Sequence, residues 1–167
     1  MKFDLPIDPS TIPTAQHKGV RVVHGVPMFY KTKALTDFEK RLEYSLAPHY
    51  PKFRADDGNP VHLQISYLFP YPKSTPKRER VDMAYMTQRP DGDNISKAVI
   101  DALGDRWAKD KRTGRFHVAR RGFFADDAAI ANLGISKFRT TGEPRIVITI
   151  EEWKPNPNPS QTPTQPL

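Results

Sequence analysis

The sequence predicts a small single domain of the mixed α+β class, in which a mixed β-sheet is flanked by two main helices. Two segments place apolar residues at helical spacing: Phe38, Leu42 and Leu46 in one, and Ile95, Ala98, Val99, Ala102 and Leu103 in the other. A third segment, Val61 to Phe69, alternates as a half-buried strand does, and two more strands are read near the C-terminus. At 167 residues there is material for one modest core.

Each element has its own warrant. Lys2 to Ala15, broken by Pro6, Pro9 and Pro13, is expected to be extended or loose, so that residues 1–15 precede the domain. A hairpin of Gly19–Val23 and Val26–Tyr30 turns at His24-Gly25. Thr36 with Glu39 three residues on is a capping-box pattern for the first helix, which Pro48 ends. After the strand at 61–69 comes a basic segment, Tyr71 to Arg80, where Ser74 or Thr75 could cap a short helix with Pro76 in its first turn. The second helix spans about Asn94 to Leu103 and stops at Gly104. Residues 104–125 read as a long connection, and strands at Ala129–Arg139 and Arg145–Glu151 close a domain of residues 16–153. Residues 154–167 are Pro-rich and almost without apolar side chains, the composition of a disordered tail.

Charge narrows the partners. Lys and Arg number 26 against 19 Asp and Glu, a net +7, so the long-range field draws polyanions, with nucleic acid first among them. A basic membrane-surface protein would want an amphipathic helix with Lys or Arg flanking a large apolar face, and no such segment is found. No apolar run approaches a transmembrane length, and Met1–Pro6 lacks the apolar region of a signal peptide. The expectation is a soluble cytoplasmic protein with no membrane partner. Without cysteine there are no disulfides and no thiolate zinc site.

Against that basic background, acids gather at Asp91-Gly92-Asp93-Asn94 and again at Asp126-Asp127. At about 100° per residue, Asn94, Lys97 and Asp101 share the polar side of the second helix, opposite its apolar stripe. Asp91 and Asp93 can project to that side from an extended lead-in, where the helix N-terminus favours their charge. A third carboxylate, from Asp126 or Asp127, would complete an oxygen-only site suited to Mg2+, with Mn2+ as the alternative ion. A basic chain around such a site points to phosphodiester chemistry, with Lys97 stabilising charge on the phosphate. Asn94 is expected to orient an aspartate or a bound water, and Asp101 to orient Lys97.

At these residues the chain resembles the RusA family of Holliday junction resolvases. That family's hallmark is Asp-x-Asp-Asn, a Lys four residues after the second Asp, an Asp-Ala-Leu and a later Asp-Asp. The pattern here reads Asp91-Gly92-Asp93-Asn94, Lys97, Asp101-Ala102-Leu103 and Asp126-Asp127, within a similarity covering about residues 18 to 152. The resemblance implies that Asp91, Asp93 and Asp127 bind the catalytic Mg2+ and that Lys97 assists. It further implies a homodimer, in a bacterial or phage-infected cell, that nicks two opposing strands of a four-way DNA junction during recombination and repair. The basic residues Lys73, Lys77, Arg78, Arg80, Arg89, Arg112, Arg115, Arg120 and Arg121 are the candidate DNA contacts.

Two departures from the family's pattern stand out. Gly92 replaces the aliphatic residue usual between the first two aspartates, which loosens the backbone and removes a core anchor. The connection at 104–125 is longer than usual and carries seven Lys or Arg against two Asp, a net +5, with Trp107 and Phe116 interleaved. It is expected to grip DNA backbone or to stack on exposed bases at the branch point.

Taken singly, every signal has a plainer reading. Asp91 or Asp93 before a helix is most often a cap, Lys97 and Asp101 a surface ion pair, Asp126-Asp127 a turn, and a basic loop a solvated surface. Their joint occurrence in order outweighs those readings. An EF-hand is excluded: with Asp91 as the first loop position, the required Gly falls on Ser96 and the closing Glu on Ala102. The alternatives retained are a nuclease for other branched DNA, such as flaps or forks, and a non-catalytic branched-DNA binder.

Overall fold

The computed structural model describes residues 1–13, 18–55 and 58–153. In chain order its strands and α-helices are β1 (Lys2–Leu5), β2 (Lys18–Val23), β3 (Val26–Lys31), α1 (Lys33–Leu46), β4 (Val61–Pro70), β5 (Ala84–Tyr85), α2 (Gly92–Leu103), β6 (Arg106–Lys109), β7 (Phe116–Arg120), β8 (Ile130–Thr140) and β9 (Arg145–Glu152). Among the described residues, no helix is long and apolar enough to cross a membrane.

Alternation builds the main sheet. Val61, Leu63, Ile65, Tyr67 and Phe69 of β4 are all buried, and Leu63, Ile65 and Tyr67 stand opposite Ile150, Ile148 and Ile146 of β9. The sheet runs β1-β9-β4-β8-β5, with β4 and β8 parallel and every other neighbouring pair antiparallel. A parallel pair needs a crossover, and α2 lies within it. The helices contribute Leu35, Phe38, Leu42 and Leu46 from α1, and Ile95, Val99 and Leu103 from α2, to one continuous core. Fully burying each of these side chains stabilises the fold by about 1.5–3 kcal/mol relative to exposure. The mixed sheet with two main helices is the class read from the sequence.

Several elements differ from expectation. The N-terminal segment is extended, yet it belongs to the domain rather than preceding it: β1 pairs with β9 from Lys2↔Thr149 to Leu5↔Ile146, and Phe3, Leu5, Ile7 and Ile12 are buried. Phe3, Leu5 and Ile7 repeat with a period of two, a strand signature too short to be heard among three prolines. Helix α1 begins earlier than the Thr36 reading. Thr32 is its N-cap, accepting from the Leu35 amide at 3.4 Å, while Glu39 pairs with Lys31 at 2.7 Å. In the basic segment a 3-10 turn at Lys77–Glu79 follows Pro76, which is the capping position itself, and no side chain caps it.

The connection at 104–125 is a second hairpin, β6–β7. Its turn is organised by Asp110, whose carboxylate accepts from the amides of Arg112 at 2.7 Å and Thr113 at 3.0 Å, and by Gly114 at φ 71°. The β2–β3 hairpin turns at His24-Gly25 as expected, both at positive φ. The reading of residues 154–167 as a disordered tail concerns residues outside those described.

Candidate active site

Helix α2 carries most of the site, and its first turn is fixed by an unusual contact. Gly92 is the first helical residue, and a Cβ built there would lie 2.9 Å from Ile135 Cγ2 on β8. The volume that an aliphatic residue at 92 would fill is therefore supplied from β8. One turn on, the buried Ser96 hydroxyl donates to the Gly92 carbonyl at 2.6 Å, and the Tyr67 hydroxyl of β4 donates to Ser96 Oγ at 2.9 Å. Burial pushes the Tyr67 phenol up, partly opposed by Ser96, so it stays a neutral donor. The approach to the helix is held by Lys137 of β8, whose ammonium donates to the carbonyls of Gln88 and Pro90, each at 2.8 Å.

Asp91 occupies the N-cap position with extended backbone, φ −68° and ψ 139°, but its side chain makes no capping hydrogen bond. The plainer reading of this residue as a cap therefore does not hold; its exposed carboxylate keeps its acceptor capacity for something else. Asp93 lies in the first turn, also exposed, where the helix N-terminus favours negative charge.

The later pair divides its labour. Asp126 caps the 3-10 turn Asp127–Ala129, accepting from the Ala128 amide at 2.9 Å. Asp127 instead faces α2: Lys97 Nζ lies 3.1 Å from its Oδ2 and 2.8 Å from Asp101 Oδ1. Lys97 is pushed up by its hydrogen bond to Asp101, partly opposed by its own burial, and further by Asp127. The same ammonium holds Asp127 below the usual carboxylate range. Lys97 thus bridges α2 to the acidic turn before β8, and Asp101 positions it. Asn94 lines a cleft of about 130 Å³ with Lys97 and Asp101, so the polar trio shares one face as the helical spacing requires.

Among the described residues, no three His, Cys, Asp or Glu side chains stand close enough to hold a metal ion as they are. The donor chemistry of Asp91, Asp93 and Asp127 still suits a hard divalent ion: all are exposed carboxylates, and neither Asp91 nor Asp127 is used as a side-chain cap.

The candidate DNA contacts sort into two groups. Lys73, Lys77, Arg78, Arg89, Arg112, Arg115 and Arg121 are exposed. Arg80 and Arg120 are half-buried and engage backbone carbonyls. Arg80 donates twice to the Thr75 carbonyl, at 3.0 and 2.7 Å, and lies over the Tyr71 ring. Arg120 donates to the carbonyls of Ala102 and Gly104, at 3.0 and 3.1 Å, and stacks on Tyr50, whose hydroxyl also donates to Ala102. Between them they satisfy carbonyls at the C-terminus of α2 that the helix leaves without partners. Burial pushes the Tyr50 phenol up to about 12, so it remains a donor.

Sequence reasoning missed Lys137 and the clasp that anchors β6–β7. Arg54 makes a two-pronged pair with Asp105, at 2.7 and 3.3 Å, and also donates to the Gly122 carbonyl, while the Gly122 amide donates to Asp105 Oδ1 at 2.7 Å. Burial would raise the Asp105 pKa, but Arg54 and the Gly122 amide outweigh it and hold the carboxyl below its ordinary value. Gly122 is obligatory here, because a Cβ would sit 2.3 Å from the carbonyl oxygens of Leu103 and Gly104. Lys137 is one of two charged residues on β8, with Arg139, and neither it nor Arg54 nor Asp105 carries a signal in the sequence. Beside the hairpin base lies an open cleft of about 330 Å³, lined by Asp101, Asp126, Asp127, Arg106 and Trp107 among others.

The family model described as endodeoxyribonuclease RusA matches residues 6–151. Among curated proteins none matches the chain.

Proposed function

The chain belongs to the RusA endodeoxyribonuclease family, and from that premise we propose that it is a Mg2+-dependent resolvase, cutting four-way (Holliday) DNA junctions by paired symmetric nicks. The observation that carries the reading is the bridge from Lys97 to both Asp101 and Asp127, which brings the helix part of the motif and the later acidic pair to one place. Asp91, Asp93 and Asp127 would hold the Mg2+, which when bound supplies Lewis acidity toward the phosphodiester. Mn2+ would satisfy the same donors.

The chain's own side chains do the rest. Lys97 presents a fixed positive charge where negative charge develops on the phosphate, and Asp101 keeps it oriented. Lys137 fixes the segment before Asp91, so that the first acid is held in place before substrate arrives. Exposed cations, Lys73, Lys77 and Arg78 on one segment and Arg112 and Arg115 on another, supply salt-dependent backbone affinity. A homodimer is part of the proposal, since two strands related by an approximate two-fold call for two equivalent sites. Recombination and repair in a bacterial or phage-infected cytoplasm is the setting that goes with it.

The test is cleavage of an end-labelled four-way junction beside a flap, a fork and a linear duplex, with Mg2+ or EDTA, for the wild type and Asp91→Asn. Paired Mg2+-dependent nicks on the junction, lost in Asp91→Asn with binding retained, are expected. Better cutting of flaps or forks would move the substrate to other branched DNA. Binding without cutting under any divalent ion would make the protein a branched-DNA binder.

A further inference from the structure

The register of the β6–β7 hairpin puts Trp107 opposite Val118 and Lys109 opposite Phe116, so these four side chains share one face. Directly opposed residues in an antiparallel pair point the same way, and the diagonal between Trp107 and Phe116 is about 7–8 Å, within reach of aromatic side chains. Both rings are open to water, Trp107 at 54% and Phe116 at 68% exposure, and Lys109 Nζ lies 5.9 Å over the Phe116 ring. A two-stranded hairpin is marginal by itself. This one is fastened at its base by the Arg54–Asp105–Gly122 clasp, by the Arg106 pair with Glu43 at 2.9 Å to each oxygen, and by Arg120 on the end of α2. Two large apolar rings are thus displayed on a rigid mount, next to the cleft that Trp107 lines together with Asp101 and Asp127.

Charge decides what covers them. The hairpin tip carries Lys109, Lys111, Arg112 and Arg115, and its one acid, Asp110, is spent on the turn's own amides. Two copies of such a tip would repel each other, whereas a polyanion would be drawn to it. A polyanion with flat apolar faces is nucleic acid with unstacked bases. Paired bases inside a duplex have both faces occupied, so the free faces are found where strands part.

We propose that the Trp107–Phe116 face is a nucleobase-stacking platform: it receives bases unstacked at the branch point of DNA, while the hairpin tip holds the adjoining backbone, beside Asp127. The inference rests on the branched-DNA reading above and names how that substrate is told from plain duplex.

The experiment uses the full chain carrying Asp91→Asn, so that DNA is bound but not cut, and a four-way junction with 2-aminopurine at the branch point; a flap and a linear duplex carry the same probe. Binding should change the probe's fluorescence on branched DNA and leave it unchanged on duplex. Adding Trp107→Ala should abolish the change and weaken branched-DNA binding roughly ten-fold, whereas Trp107→Tyr, which keeps a stacking ring, should restore both. Phe116→Ala, at the more exposed ring, gives an independent readout if Trp107→Ala folds poorly, which circular dichroism reports. Tight junction binding with a probe response that survives both alanine variants would overturn the platform while leaving the resolvase reading intact. A Trp107-dependent response on the flap but not the junction would support the platform and overturn the choice of junction. Failure to bind any branched DNA would overturn both.

Discussion

A methyl group at position 92 would meet Ile135 Cγ2 at 2.9 Å, so the glycine between the first two aspartates and the isoleucine on β8 are one design, not two. The glycine by itself reads as a loosening of the metal motif; with Ile135 in view it is a packing exchange, which no reading of a single stretch of sequence could reveal, because the partner lies 43 positions along the chain. Gly92→Val should destabilise by about 1–3 kcal/mol through overpacking. Combining it with Ile135→Ala should recover part of that loss, a non-additive coupling that a double-mutant cycle in urea would measure. The acidic residues tell the opposite story. That Lys97 and Asp101 meet on one face of α2 was legible because helical geometry ties sequence spacing to direction in space. The choice between Asp126 and Asp127 could not be made from spacing, since it depends on which carboxylate the following turn consumes as its cap; the cap is Asp126.

At the level of elements, α2, β4, β8 and β9 were readable from periodicity, and the β6–β7 hairpin was not. Its strands are short, none of their residues is fully buried, and its stability is borrowed from the clasp at its base. That clasp has a pH signature. Asp105 has a lowered pKa when folded, so the stability it contributes is fully present above its unfolded pKa, about 3.9, and is lost as pH falls through the folded value. Acid titration of the hairpin, followed by hydrogen exchange at residues 106–120, should show protection fading below about pH 4. Arg54→Ala should cost about 1–3 kcal/mol, by leaving the part-buried Asp105 carboxylate with the Gly122 amide but without its main partner. If Arg54→Ala melted with the wild type, the clasp would not be what holds the hairpin.

For the whole molecule, the net charge of +7 points to the class of partner without saying which cations reach it. Two of the nine basic residues singled out in the sequence, Arg80 and Arg120, turn out to brace backbone carbonyls. The distinction is measurable. Neutralising Arg112 and Arg115 to Gln should weaken DNA binding and flatten its salt dependence by about one unit of slope for each phosphate left without its cation, with little change in melting temperature. Arg120→Gln should do the reverse, lowering the melting temperature through the C-terminal carbonyls of α2. The order β1-β9-β4-β8-β5 also carries a consequence for how the chain is made. Strand β1 precedes the other strands described yet neighbours only β9, which follows them, and β9 is also the neighbour that β4 needs on that side. Until residue 152 has left the ribosome, Phe3 and Leu5 have no sheet to join, and the pairing that closes the sheet spans almost the whole chain. Such sequence-distant closure slows folding. A nascent chain therefore carries β1 with Phe3 and Leu5 unburied until β9 has been made, and apolar side chains exposed in that interval favour aggregation.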